Sequence, residues 1–122
     1  PDRLIDQASG WFDQGGGDFS SLHNYFFGLF IRPERKRASA LSEYGGYSYP
    51  VSGHTACEKQ YGYGACKTRE ELNKRCTERA DKMRELIPEG LCAGVYTQWS
   101  DIEEEVNGVY TYDRKIRKID RV

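Results

Sequence analysis

From Thr68 onward the apolar positions keep a helical beat: Leu72, Cys76, Ala80, Met83 and Ile87 recur at three- to four-residue steps, the spacing that lines one face of an α-helix. Thr68 and Glu71 form a capping-box pair, in which each side chain can take the other residue's backbone N–H, and Pro88-Glu89-Gly90 stops the helix. One turn later the segment Leu91-Cys92-Ala93-Gly94-Val95-Tyr96-Thr97 is apolar on both parities, as in a parallel strand covered on both faces. Three shorter segments carry strand patterns. Residues 3–8 end at Ser9-Gly10-Trp11, Phe19-Ser20-Ser21-Leu22 ends at His23-Asn24-Tyr25, and residues 37–42 end at Glu43-Tyr44-Gly45-Gly46. A long connection, 44–67, leads into the helix, and residues 113–120 begin a second, basic helical pattern. Strand, loop, helix and strand in this order predict an α/β fold with parallel strands.

Composition narrows what such a fold can do. At 122 residues the chain is one domain's worth, and 38 % hydrophobic residues with 13 glycines is a globular proportion. Eighteen Lys and Arg against nineteen Asp and Glu leave a net charge of −1, so no excess of positive charge exists to hold nucleic acid or an anionic membrane surface. No apolar run approaches the roughly 18 residues of a membrane span. The cysteines at 57, 66, 76 and 92 lack the two- to four-residue spacing of a zinc knuckle, and neither a metal nor a cofactor is expected. Cys76 on the helix stripe and Cys92 in a strand read as buried small hydrophobes, whereas Cys57 and Cys66 flank a Gly/Tyr loop and can pair in an oxidising compartment. Gly15-Gly16-Gly17-Asp18 lacks the Lys-Ser/Thr of a phosphate cradle and reads as a flexible turn.

In parallel α/β folds functional side chains collect where strands end. Here those ends carry Trp11, His23, Tyr25, Glu43, Gln98, Trp99 and Asp101. A carboxylate among aromatic rings is the equipment of a sugar site, because ring faces stack on the C–H faces of a pyranose and a carboxylate can bond hydroxyls or attack the anomeric carbon. His54 reads as a surface histidine, and Glu103-Glu104-Glu105 as a solvated acidic loop.

Four blocks at these strand ends carry a resemblance: Ala8-Ser9-Gly10-Trp11 with Gly17-Asp18; His23-Asn24-Tyr25; Leu41-Ser42-Glu43-Tyr44-Gly45-Gly46-Tyr47; and Val95-Tyr96-Thr97-Gln98 through Asn107-Gly108 to Thr111-Tyr112-Asp113-Arg114. In order and spacing they resemble the catalytic barrel of family 2 glycoside hydrolases, the β-galactosidases, β-glucuronidases and β-mannosidases. The resemblance implies the C-terminal half of a (β/α)8 TIM barrel, about strands five to eight with their helices, as a single partial domain over residues 1–122. A complete barrel takes typically about 250 residues. It implies a retaining exo-β-glycosidase with Glu43 as nucleophile at the end of the seventh strand and Tyr25 orienting it from the sixth. His23, Asn24, Trp11, Gln98, Trp99 and Asp101 become candidate contacts to a carbohydrate substrate. Gln98 takes the position where the wider family most often has Trp, and since neighbouring strand residues point to opposite faces, only one of Gln98 and Trp99 can face a barrel interior without a bulge. The family's acid/base is a Glu after an Asn, and no Asn-Glu pair occurs in this chain. Half a barrel leaves unpaired edges, so self-association is expected. The alternative is a non-catalytic carbohydrate-binding or self-associating module.

Overall fold

The computed structural model describes residues 2–7 and 11–120. Five strands and one helix form in the order β1 (Phe19–Asn24), β2 (Ala38–Gly45), β3 (Tyr47–Ser48), β4 (Gly64–Ala65), α1 (Arg69–Leu86) and β5 (Leu91–Thr97). The strands make a three-stranded sheet in the order β1-β2-β5 and a two-stranded sheet of β3 with β4. β1 runs parallel to β2, and β3 parallel to β4. The fold is mixed α/β with a small parallel sheet. It is not half of a barrel: among the described residues the main sheet has three strands and the chain one helix.

Each departure from the expected half-barrel has a local cause. Residues 3–7 form no strand, although Asp18 ties them to the start of β1 by donating its N–H to the Ile5 carbonyl and accepting the Ile5 N–H on its side chain, each at 2.7 Å; residue 8 lies outside the described residues. The basic tail forms no helix. Asp113 binds the Thr111 hydroxyl and the Lys115 N–H, Arg114 takes a left-handed φ of 59°, and Thr111 N–H closes on the Ile116 carbonyl, a turn chemistry that an α-helix cannot continue. Between β1 and β2 the chain crosses without a helix, its turn held by Asn24, whose side-chain amide donates to the Gly28 carbonyl.

The described chain divides into two compact units, Pro1–Tyr44 with Asp81–Val95 and Gly45–Ala80 with Tyr96–Val122. The core of the first gathers Leu22, Leu29, Leu41, Leu86 and Leu91, with Ile31, Tyr44 and Met83 packed against them. The helix comes close to β5 there, since a Cβ on Gly94 would lie 2.1 Å from the Met83 methyl. Cys92 to Val95 are exposed rather than covered on both faces, and β5 lies at the border of the sheet, beside β2 alone. The core of the second unit gathers Cys66, Leu72, Cys76 and Ile119 with Tyr47, Tyr49, Tyr96 and Val109. All four cysteines are free thiols, Cys57 and Cys92 exposed, Cys66 and Cys76 buried; burial pushes the Cys66 and Cys76 thiols above their ordinary range.

The helix start differs from the box by one residue. Thr68 Oγ1 accepts the Glu71 N–H, but Glu71 Oε2 takes the N–H of Lys67 rather than that of Thr68. The stripe closes on Leu86, buried in place of Ile87, which lies past the helix end and is exposed.

Candidate functional site

The site is made by a slip in the pairing of β1 with β2. Phe19 to Leu22 pair one for one with Ala38 to Leu41, and the register then jumps so that His23 pairs with Glu43, leaving Ser42 as the extra residue of a β-bulge. Without it, Glu43 would share a face with Leu41, two residues earlier, and point into the leucine core. The bulge turns it to the opposite face, that of His23, while Tyr44 moves to the core side and pairs with Asn24. Behind Tyr44 the chain leaves through Gly45, whose φ of +91° and lack of a side chain are both needed, since a Cβ there would meet the Tyr96 ring at 2.3 Å.

Three polar groups converge as a result. The Tyr25 hydroxyl donates to Glu43 Oε2 at 2.5 Å, and His23 Nδ1 lies 3.3 Å from the same oxygen. Tyr25 is 4 % exposed. The Glu43 side chain keeps 40 % of its surface open and His23 13 %, so the carboxyl is oriented from below and accessible from outside. Trp11 closes one side. Its ring lies 5.9 Å from His23, edge-on, 6.0 Å from Tyr25, tilted, and 6.0 Å from Phe26, with which it stacks at 23°.

The loop that carries Trp11 is fastened by Arg37 at the entry to β2. Its guanidinium grips both Asp13 carboxylate oxygens, at 2.6 and 2.7 Å, donates to the Gly16 and Phe19 carbonyls and pairs with Glu34. With the Gly15 N–H it holds the Asp13 carboxyl well below the usual carboxylate range. A bidentate Arg–carboxylate pair of this kind fixes orientation as well as distance.

Trp11, His23, Tyr25 and Glu43 are thus brought together as the sequence analysis expects. Asn24 points away from them: it is buried, its amide nitrogen on Gly28 and its Oδ1 without a hydrogen-bond partner. The remaining three expected contacts lie in the second unit. Gln98 Nε2 donates to Glu105 Oε2 and Asn107 Oδ1 at 2.9 and 2.7 Å. Trp99 is exposed, its ring against Tyr110 at 5.1 Å. Asp101 is buried rather than open to a sugar. Its Oδ1 accepts Lys118 Nζ at 2.6 Å and the Gly108 N–H at 2.7 Å, and a buried ion pair is a structural clasp before it is a ligand site. Glu105, expected in a solvated loop, is drawn in by Gln98.

Some neighbours were not foreseeable from order along the chain. Phe26 meets Trp11 across fifteen positions, and His54 Nδ1 lies 2.8 Å from Asp113 Oδ2 although 59 positions separate them. A concavity of about 610 Å³ in the second unit, lined by Val51, Thr55, Cys57, Glu58 and Gln60 among others, holds none of the expected site residues. Among the described residues no group of three His, Cys, Asp or Glu side chains is placed to hold a metal ion. The scan against protein-family models found no match, and neither did the search of curated proteins.

Proposed function

We propose that the chain is part of a retaining β-glycosidase of the family 2 type, with Glu43 as the nucleophile. The observation that carries this reading is one carboxyl oxygen held by Tyr25 at 2.5 Å and approached by His23 at 3.3 Å, at the end of the middle strand of a parallel sheet, with the side chain still 40 % open.

Glu43 attacks the anomeric carbon through one carboxylate oxygen, the bond from that carbon to the leaving oxygen breaks, and the leaving oxygen takes a proton from a second acid about 5–5.5 Å away. Water then attacks the same carbon, the bond to Glu43 breaks, and the second residue receives the proton. Tyr25 fixes one nucleophile oxygen so that the other is aimed, an advantage of orientation. The Glu43, Tyr25 and His23 groups supply the nucleophile side alone. The acid/base, in the absence of an Asn-Glu pair, comes from outside these 122 residues.

A reagent that needs no acid tests this directly. A 2-deoxy-2-fluoro β-glycoside of dinitrophenol loses its leaving group unprotonated, and the fluorine slows hydrolysis of the ester. Galactoside, glucuronide and mannoside versions should be incubated with the chain and the tryptic digest mapped. One of them is expected to add its fluorosugar mass to the peptide of residues 38–59, and fragmentation must place it on Glu43 and not on Glu58 of the same peptide. Glu43→Gln should remove the label. A label on Glu58 or Asp101, or none from any of the three sugars, refutes the assignment.

The second reading, a non-catalytic carbohydrate-binding module, draws on the half-exposed Trp11 ring, 52 % open. Saturable binding of methyl glycosides by a chain that none of the fluorosugars label would favour it.

A further inference from the structure

The aromatic rings beside Glu43 do not stop at the size of one sugar. Phe26 stacks on Trp11 at 6.0 Å and 23° and remains 62 % exposed, next to a Trp11 that is 52 % exposed. Rings of this size in water are costly to leave uncovered. They are also held in place. Phe26 follows Tyr25, anchored on Glu43, lies within the turn closed by the Asn24 to Gly28 bond and comes before the buried Leu29, while the Trp11 loop is gripped by Arg37 through Asp13. A surface formed by chance collapse would lack these four anchors. The pair is a built ledge, and its chemistry is one-sided. Trp11 and Phe26, with Phe12 and Phe27 adjacent in sequence and exposed, offer one side-chain N–H donor, and the Asp13 carboxylate of the same loop has both oxygens taken by Arg37.

We propose that the ledge of Trp11 and Phe26 receives a planar apolar leaving group, so that the substrates are β-glycosides of aromatic alcohols rather than oligosaccharides. The inference rests on the glycosidase reading above. A terminal sugar sits at Glu43, and what extends beyond a terminal sugar is the group it leaves. Stacking of a flat ring on an aromatic face needs no directional polar partner, in keeping with the lining.

The test separates this from the function itself. The 122-residue chain, labelled with nitrogen-15, should be titrated with methyl and phenyl β-glycosides of galactose, glucuronic acid and mannose while amide and indole signals are followed. For the sugar that fits, both compounds should shift the signals of His23 and Glu43. The phenyl compound alone should shift the Trp11 indole and Phe26, binding about tenfold more tightly. Phe26→Ala should bring the phenyl compound down to the methyl one and leave the methyl affinity within twofold. Equal affinities of methyl and phenyl compounds, or an unchanged preference in Phe26→Ala, overturn the ledge while the function stands. If no glycoside moves His23 and Glu43, the functional reading itself falls, and the ledge with it. Ledge signals that move on dilution without any glycoside would show a second copy seated there, and would also overturn the assignment.

Discussion

Glu43 and Leu41 have the same parity in the sequence and face opposite ways in the fold, with Ser42 as the reason. An alternating pattern read through the segment ends at Ser42, because a Glu at a core parity breaks it; the strand in fact runs to Gly45. Ser-Glu-Tyr-Gly-Gly singles out Glu43 in the sequence, but the bulge that makes it accessible is not legible there, since one extra residue in a strand leaves no mark in hydropathy. The hydroxyl of Tyr25 is the group whose removal should be felt most. Its bond to Glu43 Oε2 is 2.5 Å long, and the ring is buried, so Tyr25→Phe keeps the packing and deletes the donor. A hydrogen bond to a charged group is worth about 1.5–3 kcal/mol. Fluorosugar labelling of Glu43 should therefore slow by about 10- to 100-fold, with a melting temperature within a few degrees of the parent. Labelling at the parental rate would show that Tyr25 does not orient the nucleophile.

The elements divide into those that announce themselves and those that do not. Residues 69–86 and 91–97 have long periodic or fully apolar signals, and both appear with nearly the expected bounds. β3 and β4 are two residues each and were hidden inside the tyrosine-rich connection. The tail 113–120 misled because its charge pattern is helical while its turn residues are not. What fastens the tail is Lys118, fully buried and donating to Asp101, the Tyr49 carbonyl and the Val106 carbonyl at 2.6, 3.0 and 2.9 Å. Burial lowers the Lys118 ammonium and raises the Asp101 carboxyl, while each is opposed by the other's charge. Removing one partner of such a pair strands the other, at about 3–5 kcal/mol. Lys118→Met should cost that much in urea unfolding. The double change with Asp101→Asn should cost less than Lys118→Met alone, because the stranded charge is gone and the amide oxygen can still accept the Gly108 N–H. A single variant within about 1 kcal/mol of the parent, or a double variant worse than the single, would contradict the clasp.

At the scale of the whole molecule, the α/β class follows from strand, helix and strand in the sequence, and the number of strands does not. Edges and uncovered faces are properties of what a sheet lacks, and no residue pattern states them. Cys92, Ala93, Gly94 and Val95 are apolar or small and predict a doubly covered strand; all four are exposed, and no strand among the described residues lies beyond β5. A border strand with an apolar surface is a template for pairing with another chain, and natural edges are protected by charge, proline or a bulge. None of these interrupts residues 91–95. We propose that the chain self-associates through β5. Sedimentation or light scattering between micromolar and several hundred micromolar should show the mean mass rising above 14.0 kDa with concentration. Val95→Lys, which sets a charge on the exposed surface without touching the leucine core, should hold the mass at the monomer value and leave the unfolding curve in place. The Phe26→Ala variant separates the edge from the aromatic ledge: if β5 is the contact, it associates as the parent does. A parent chain that stays monomeric across the range would remove self-association altogether. A Val95→Lys chain that associates as strongly as the parent would move the contact away from β5.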